Sequence, residues 1–222
     1  MMYRGVTFDL DGTLIDSLED IADSLNAVLE KNGFPLHDYS AYAQFIGDGM
    51  SMLIRRALPV EQRAAERIED LLVELRREYQ VRYLDKTKPF PGMTETLRVL
   101  SERGMKFAVL SNKFDDMTQK IVGELFPDIS FDALIGTSET MPRKPDPTGA
   151  RRIIQRMSVQ PGEVIYLGDS GVDMQVAVRV GMFPVGALWG YRSEAELTAQ
   201  GARRLIHRAP ELIDIVEEES EG

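Results

Sequence analysis

The 222-residue chain has no cysteine. Disulfides, thiolate zinc sites and a cysteine nucleophile are excluded with it. Histidine is nearly as scarce, since only His37 and His207 offer an imidazole, which leaves no material for a histidine-rich metal site. Any metal that binds should be a hard cation taken by oxygen ligands. Long apolar runs are missing too. Asp9 and Asp11 interrupt the first hydrophobic stretch, and no run approaches the roughly 18 apolar residues of a membrane span. The expectation is a cytoplasmic chain with no signal peptide and no membrane association. Positive charge is in deficit, with 26 Lys and Arg against 36 Asp and Glu. A nucleic-acid surface needs the opposite balance, so no such partner is expected. An acidic chain that handles phosphate must gather its positive charge locally.

The remaining composition, 43% hydrophobic and 28% charged, is that of a globular protein. Apolar runs of strand type recur at 5–8, 106–110, 133–136, 164–167 and 184–188. Their near-continuous apolar character suits strands covered on both faces. Helical patterns separate them, at 93–103 (closed by Gly104), 117–125, 148–157, 172–180 and 194–199. Alternation of this kind predicts an α/β fold with a parallel sheet and right-handed crossovers. The segment 17–86 breaks the alternation. Its apolar faces, such as Leu18, Ile21, Ala22, Leu25, Val28 and Leu29, repeat at helical spacing. It reads as a helical domain inserted into a core of residues 1–16 and 87–222, with Pro89-Phe90-Pro91-Gly92 at the re-entry. The acidic residues 217–222 read as a frayed, solvated terminus.

Chemistry-bearing residues cluster at the ends of the strands. Phe8-Asp9-Leu10-Asp11-Gly12-Thr13 puts two acids just after the first strand. In an open parallel sheet that end faces the ligand crevice, and alternation in an extended chain would put both acids on one side. Two carboxylates so close call for a cation or a shared proton. A lone Asp-x-Asp often does no more than close a strand with a turn. Here Leu110 is followed by Ser111-Asn112-Lys113, the third strand by Arg143-Lys144-Pro145-Asp146-Pro147, and the fourth by Gly168-Asp169-Ser170-Gly171-Val172-Asp173. Each has a bland explanation alone: a Ser-Asn turn, a solvated lysine, an acidic helix cap. Four in succession do not.

In this combination the chain resembles the haloacid dehalogenase-like hydrolase superfamily, over nearly its whole length. Asp9-x-Asp11-Gly12-Thr13, Ser111, Lys144 and Gly168-Asp169-x-x-x-Asp173 match the four motifs of that superfamily in order. The resemblance implies a Rossmann-like core, a helical cap for the insert, and phosphoryl transfer, because dehalogenase relatives lack the second motif acid. It implies Asp9 as the nucleophile, forming an aspartyl-phosphate, and Asp11 as acid and then base. Ser111 and Lys144 would bind the phosphoryl group, with backbone N–H groups around Leu10 and Asn112 completing the cradle. It implies Mg²⁺ held by Asp9, the backbone carbonyl of Asp11, and Asp169. For Asp173 direct ligation, ligation through water and orientation of Lys144 all remain open.

Substrate choice is expected in the cap, which would close over the core. There Gly47 and Gly49 stand before an apolar helix and could offer N–H groups to an anion, or simply form a turn. Arg55 and Arg56 on that helix could read a carboxylate or face solvent. Ile46-Gly47-x-Gly49, Asn112-Lys113 and Gly190-Tyr191 resemble the phosphoglycolate phosphatase-like branch. The expected partner is a small phosphorylated metabolite, with 2-phosphoglycolate as the named candidate. A β-phosphoglucomutase-like mutase, a pyrophosphatase and a non-catalytic phosphate sensor stay open. So does the choice between monomer and homodimer. Trp189 reads as a packing or rim residue.

Overall fold

The computed structural model describes residues 3–218. The chain forms two units: one runs up to Ile15 and resumes at Pro89, and the other is Asp16–Lys88. In chain order, strand β1 (Gly5–Phe8) is followed by a short strand β2 (Ile15–Asp16), at which the chain passes into the second unit. That unit holds helices α1 (Leu18–Lys31), α2 (Tyr39–Phe45), α3 (Met50–Ala57) and α4 (Ala65–Arg82). Strand β3 (Lys88–Pro89) leads back. Then come α5 (Met93–Glu102), β4 (Lys106–Phe114), α6 (Asp115–Leu125), β5 (Ala133–Thr137) and α7 (Thr148–Met157). The chain continues through β6 (Val164–Gly168), α8 (Gly171–Val180), β7 (Phe183–Ala187), α9 (Glu194–Ala199), β8 (Arg204–Ile206) and α10 (Glu211–Glu218).

In the first unit six strands form one sheet in the order β5-β4-β1-β6-β7-β8, and every pairing is parallel. All four residues of β1 and all five of β6 are buried, as expected for central strands with helices on both faces. Leu110, Ile135, Ala150, Ile153 and Tyr166 belong to one apolar cluster under α7. The order reverses direction beside β1, and the ends of β1, β4 and β6 lie at this switch point, where ligands bind in such sheets.

The helical unit is closed by a buried acid. Asp20 accepts hydrogen bonds from the backbone N–H of Lys86 (3.0 Å), the N–H of Thr87 (2.8 Å) and the Thr87 hydroxyl (2.6 Å), tying the start of α1 to the end of the unit. Ile21, Leu25 and Leu29 of α1 and Leu71, Leu75 and Tyr79 of α4 are buried. Truncating one such leucine to alanine costs about 2–5 kcal/mol. Among the described residues no helix is long and apolar enough to cross a membrane.

Four features depart from the sequence reading. β4 does not stop at Leu110. It pairs Leu110 with Ile135 and then Phe114 with Thr137, a shift in register that sets residues 111–113 against Gly136 alone. α2 was not anticipated, because Tyr39–Phe45 buries only Tyr42 and carries no apolar stripe; Asp38 caps it by accepting from the Ala41 N–H at 2.8 Å. β8 is a three-residue edge strand, too short to show a period. Residues 217 and 218 are not frayed: they end α10, which buries Leu212, Ile215 and Val216, and Glu217 pairs with Arg103 at 2.6 Å. The rest of that acidic stretch, 219–222, lies outside the described residues.

Candidate active site

Asp9 directly follows β1, and its backbone N–H donates to the Leu167 carbonyl of β6 at 2.9 Å. Its Oδ1 accepts from the Leu10 N–H at 2.7 Å and lies 2.6 Å from the Lys144 ammonium. The same ammonium is 2.7 Å from Asp173 Oδ1. The Lys144 side chain is 1% exposed and that of Asp173 is fully buried. Asp173 Oδ2 accepts from the Ser170 N–H at 3.0 Å and from the Ser170 hydroxyl, a capping box at the start of α8. The Tyr166 phenol donates to Asp173 Oδ1 at 3.3 Å. Asp173 is thus in direct contact with Lys144 in this structure.

Asp169 is anchored from two sides. The Thr13 hydroxyl donates to its Oδ1 at 3.0 Å, and the Tyr191 N–H donates to its Oδ2 at 2.8 Å. Backbone presses against this carboxylate: a Cβ on Gly12 would stand 2.4 Å from its Oδ2, and one on Gly190 would stand 2.2 Å from its Cβ. Gly12 also takes a φ of +87°, so any side chain there is both strained and obstructed.

Ligand atoms of Asp9, Asp169 and Asp173 all lie within 4.8 Å of one another. The charges are out of balance, with one ammonium among three carboxylates. Burial raises Asp9 well above the ordinary carboxylate range, the Asp173 charge raises it further, and Lys144 offsets this only in part. Burial and then the Asp173 charge push Asp169 up to about 7, against the hydrogen bonds from Tyr191 and Thr13. Burial alone would lower Lys144, but the charges of Asp173 and Asp9 hold it above its usual value. A buried set of acid oxygens with excess negative charge fits a hard divalent cation.

The chain turns after Phe8: Leu14 N–H and Ile15 N–H both bond the Leu10 carbonyl, at 3.0 and 3.1 Å, which puts Asp11 inside the turn. Its carboxylate pairs with Lys113, whose ammonium sits 2.8 Å from Oδ1 and 2.9 Å from Oδ2. Each acid of the Asp-x-Asp pair thus has its own lysine, and the Asp11 side chain stands outside the three-carboxylate cluster.

The register shift in β4 shapes the second motif. Ser111 is buried, and its hydroxyl oxygen accepts from the Lys113 N–H at 3.1 Å. The Asn112 side chain clamps the lysine loop. Its Oδ1 accepts from the Lys144 N–H at 2.7 Å and its Nδ2 donates to the Lys144 carbonyl at 3.4 Å. Arg179 donates to the Pro145 carbonyl at 2.6 Å, so the loop is held at two successive residues.

Gly47 and Gly49 lie in the helical unit, with φ of 120° and 84°, and Gly49 is the N-cap of α3. Arg56 is not a solvated helix arginine: it donates to the Phe45 carbonyl at 2.7 Å and pairs with Asp48, bracing this loop. Arg55 is exposed. Sequence reasoning also missed structural roles for Lys113, the Thr13 hydroxyl and Tyr166. Trp189 proves more than a rim residue, since its indole N–H donates to the Thr13 carbonyl at 3.0 Å.

Residues 6–187 match the haloacid dehalogenase-like hydrolase family, and the chain belongs to that family. A phosphoglycolate phosphatase of Aquifex aeolicus (strain VF5) is 30% identical over 214 residues, covering 96% of this chain and 97% of its own. Another, from Xylella fastidiosa (strain Temecula1), is 33% identical over 193 residues, covering 87% and 83%. A crystal structure of a candidate phosphoglycolate phosphatase from Lactobacillus delbrueckii subsp. bulgaricus superposes with a TM-score of 0.91 at 28% identity, covering 97% of this chain and 99% of that one.

Proposed function

We propose that this chain is a phosphoric monoester hydrolase acting on a small phosphorylated metabolite in the cytoplasm, with 2-phosphoglycolate as the substrate. The observation that carries the reading is the Asp9 carboxylate held 2.6 Å from a buried ammonium, in a cluster with two more acids. The names of the Aquifex and Xylella relatives support the choice of ester.

In the first step the free oxygen of Asp9 attacks phosphorus and the bond from phosphorus to the ester oxygen breaks. Asp11 gives that oxygen a proton, so it departs as a hydroxyl rather than an alkoxide. In the second step Asp11 takes a proton from a water as the water attacks the aspartyl-phosphate. The bond to Asp9 breaks, and inorganic phosphate leaves. Lys144 faces the charge that builds on the transferred group, Asp173 keeps that ammonium in place, and Ser111 donates its hydroxyl to a phosphoryl oxygen. Asp9, Asp169, the Asp11 carbonyl and Asp173, directly or through water, would hold Mg²⁺, which when bound supplies charge neutralisation where carboxylate and phosphate meet. In the same reading the helical unit acts as the cap, and Gly47 and Gly49 offer N–H groups to the substrate. The test is phosphate release from 2-phosphoglycolate and p-nitrophenyl phosphate, with Mg²⁺ and with EDTA. Turnover that EDTA abolishes supports the reading; no release from either ester sinks it.

A further inference from the structure

We propose that Lys113 is the substrate-selecting residue: its ammonium receives a carboxylate carried beside the ester oxygen, so that the site prefers small phosphoesters with an anionic leaving group. The inference rests on the phosphatase reading above and extends it. Among the described residues Lys113 and Lys144 are the buried cations. Lys144 is engaged with Asp9 and Asp173. Lys113 stands at 2.8 and 2.9 Å from the two oxygens of Asp11, the group that serves the leaving oxygen. A proton donor must come within about 3 Å of the atom it protonates. In a glycolate leaving group the carboxylate carbon is joined to the ester oxygen through a single methylene, which brings its oxygens within reach of an ammonium beside Asp11.

Charge points the same way. The Lys113 ammonium lies against the carboxylate that serves the leaving oxygen, so a carboxylate one methylene from that oxygen meets a cation there, whereas an uncharged alcohol gains nothing from it. In the helical unit Arg56 is committed to Asp48 and the Phe45 carbonyl, and Arg55 is exposed. The register shift in β4 is the device that turns Lys113 inward.

The experiment compares 2-phosphoglycolate with 2-hydroxyethyl phosphate, in which an uncharged hydroxymethyl group replaces the carboxylate, in wild type, Lys113→Met and Lys113→Arg, with Mg²⁺ present. Wild type should favour 2-phosphoglycolate by at least about tenfold in kcat/KM. Lys113→Met should lower kcat/KM for 2-phosphoglycolate by about 100-fold, mostly through KM, with a much smaller loss for 2-hydroxyethyl phosphate. Lys113→Arg should recover part of the preference. Equal losses on both esters would assign Lys113 to holding Asp11 alone and overturn the proposal. The wild-type ratio needs no variant to fold: equal kcat/KM for the two esters overturns the proposal while leaving the phosphatase reading intact. No turnover of these esters or of p-nitrophenyl phosphate overturns that reading, and the proposal with it.

Discussion

Lys144 and Lys113 are both buried in the sheet unit and both pair with an acid of the Asp-x-Asp motif, yet their surroundings differ in charge. Lys144 touches Asp9 and Asp173 and has Asp169 within the same cluster. Lys113 holds both oxygens of Asp11. The first neighbourhood has more negative charge than one ammonium can balance, and Asp9 and Asp169 show it by holding protons more tightly than ordinary carboxylates. The second sets one ammonium against the carboxylate of Asp11. A site with surplus charge is ready for a cation, and an ammonium beside the acid that serves the leaving oxygen is placed to meet an anion.

Removing single members of each neighbourhood tests that contrast. Asp9→Asn should abolish turnover, by about four powers of ten or more, without lowering the melting temperature of the metal-free protein, because one of three crowded acids becomes neutral. Retention of near-native rates by the purified variant would refute the nucleophile assignment. Lys144→Ala should cost about three powers of ten in kcat. It also deepens the imbalance, so the metal-free variant should melt below wild type and regain more of its stability when Mg²⁺ is added. A merely twofold rate loss would make Lys144 incidental.

Acidity gives a third handle on the contrast. Asp169 is raised from 3.8 to about 7, so between those values the folded metal-free protein keeps a proton that the unfolded chain has released. Its contribution to stability is therefore whole below that window and declines as pH rises through it. Mg²⁺ competes with that proton. A fixed Mg²⁺ concentration should raise Tm by several degrees at pH 8 and by much less at pH 5. An equal shift at both values would argue against binding at Asp169. The smallest expected effect is that of Trp189→Phe, which removes the hydrogen bond to the Thr13 carbonyl and should cost about 1 kcal/mol. Thermal melting in the presence of Mg²⁺ reads it, and an unchanged Tm would make Trp189 packing only.

The parallel sheet was legible because its strands are covered on both faces and so appear as apolar runs, as in Val164–Gly168. The strand-end acids were legible because each follows such a run. Less legible was what each side chain touches. Strand alternation says nothing of the two lysines that pair with Asp9 and Asp11, and nothing local to Lys113 announces a partner about a hundred positions away in the chain. The contact of the Asn112 side chain with the Lys144 loop was not legible, because the shift in β4 register is invisible in a single sequence. Tyr166 carries no signal at all, since a tyrosine in an apolar strand reads as core. The short elements α2 and β8 lack enough residues to show a period.

The central claim is that Asp9 takes the phosphoryl group onto its own carboxylate. Acid-quenching the enzyme during turnover of a substrate labelled in its phosphorus, then mapping the label to a peptide, tests this most directly. The account predicts label on the peptide containing Asp9 in wild type and none in Asp9→Asn. Label on another residue, or turnover with no labelled protein at any quench time, would contradict it.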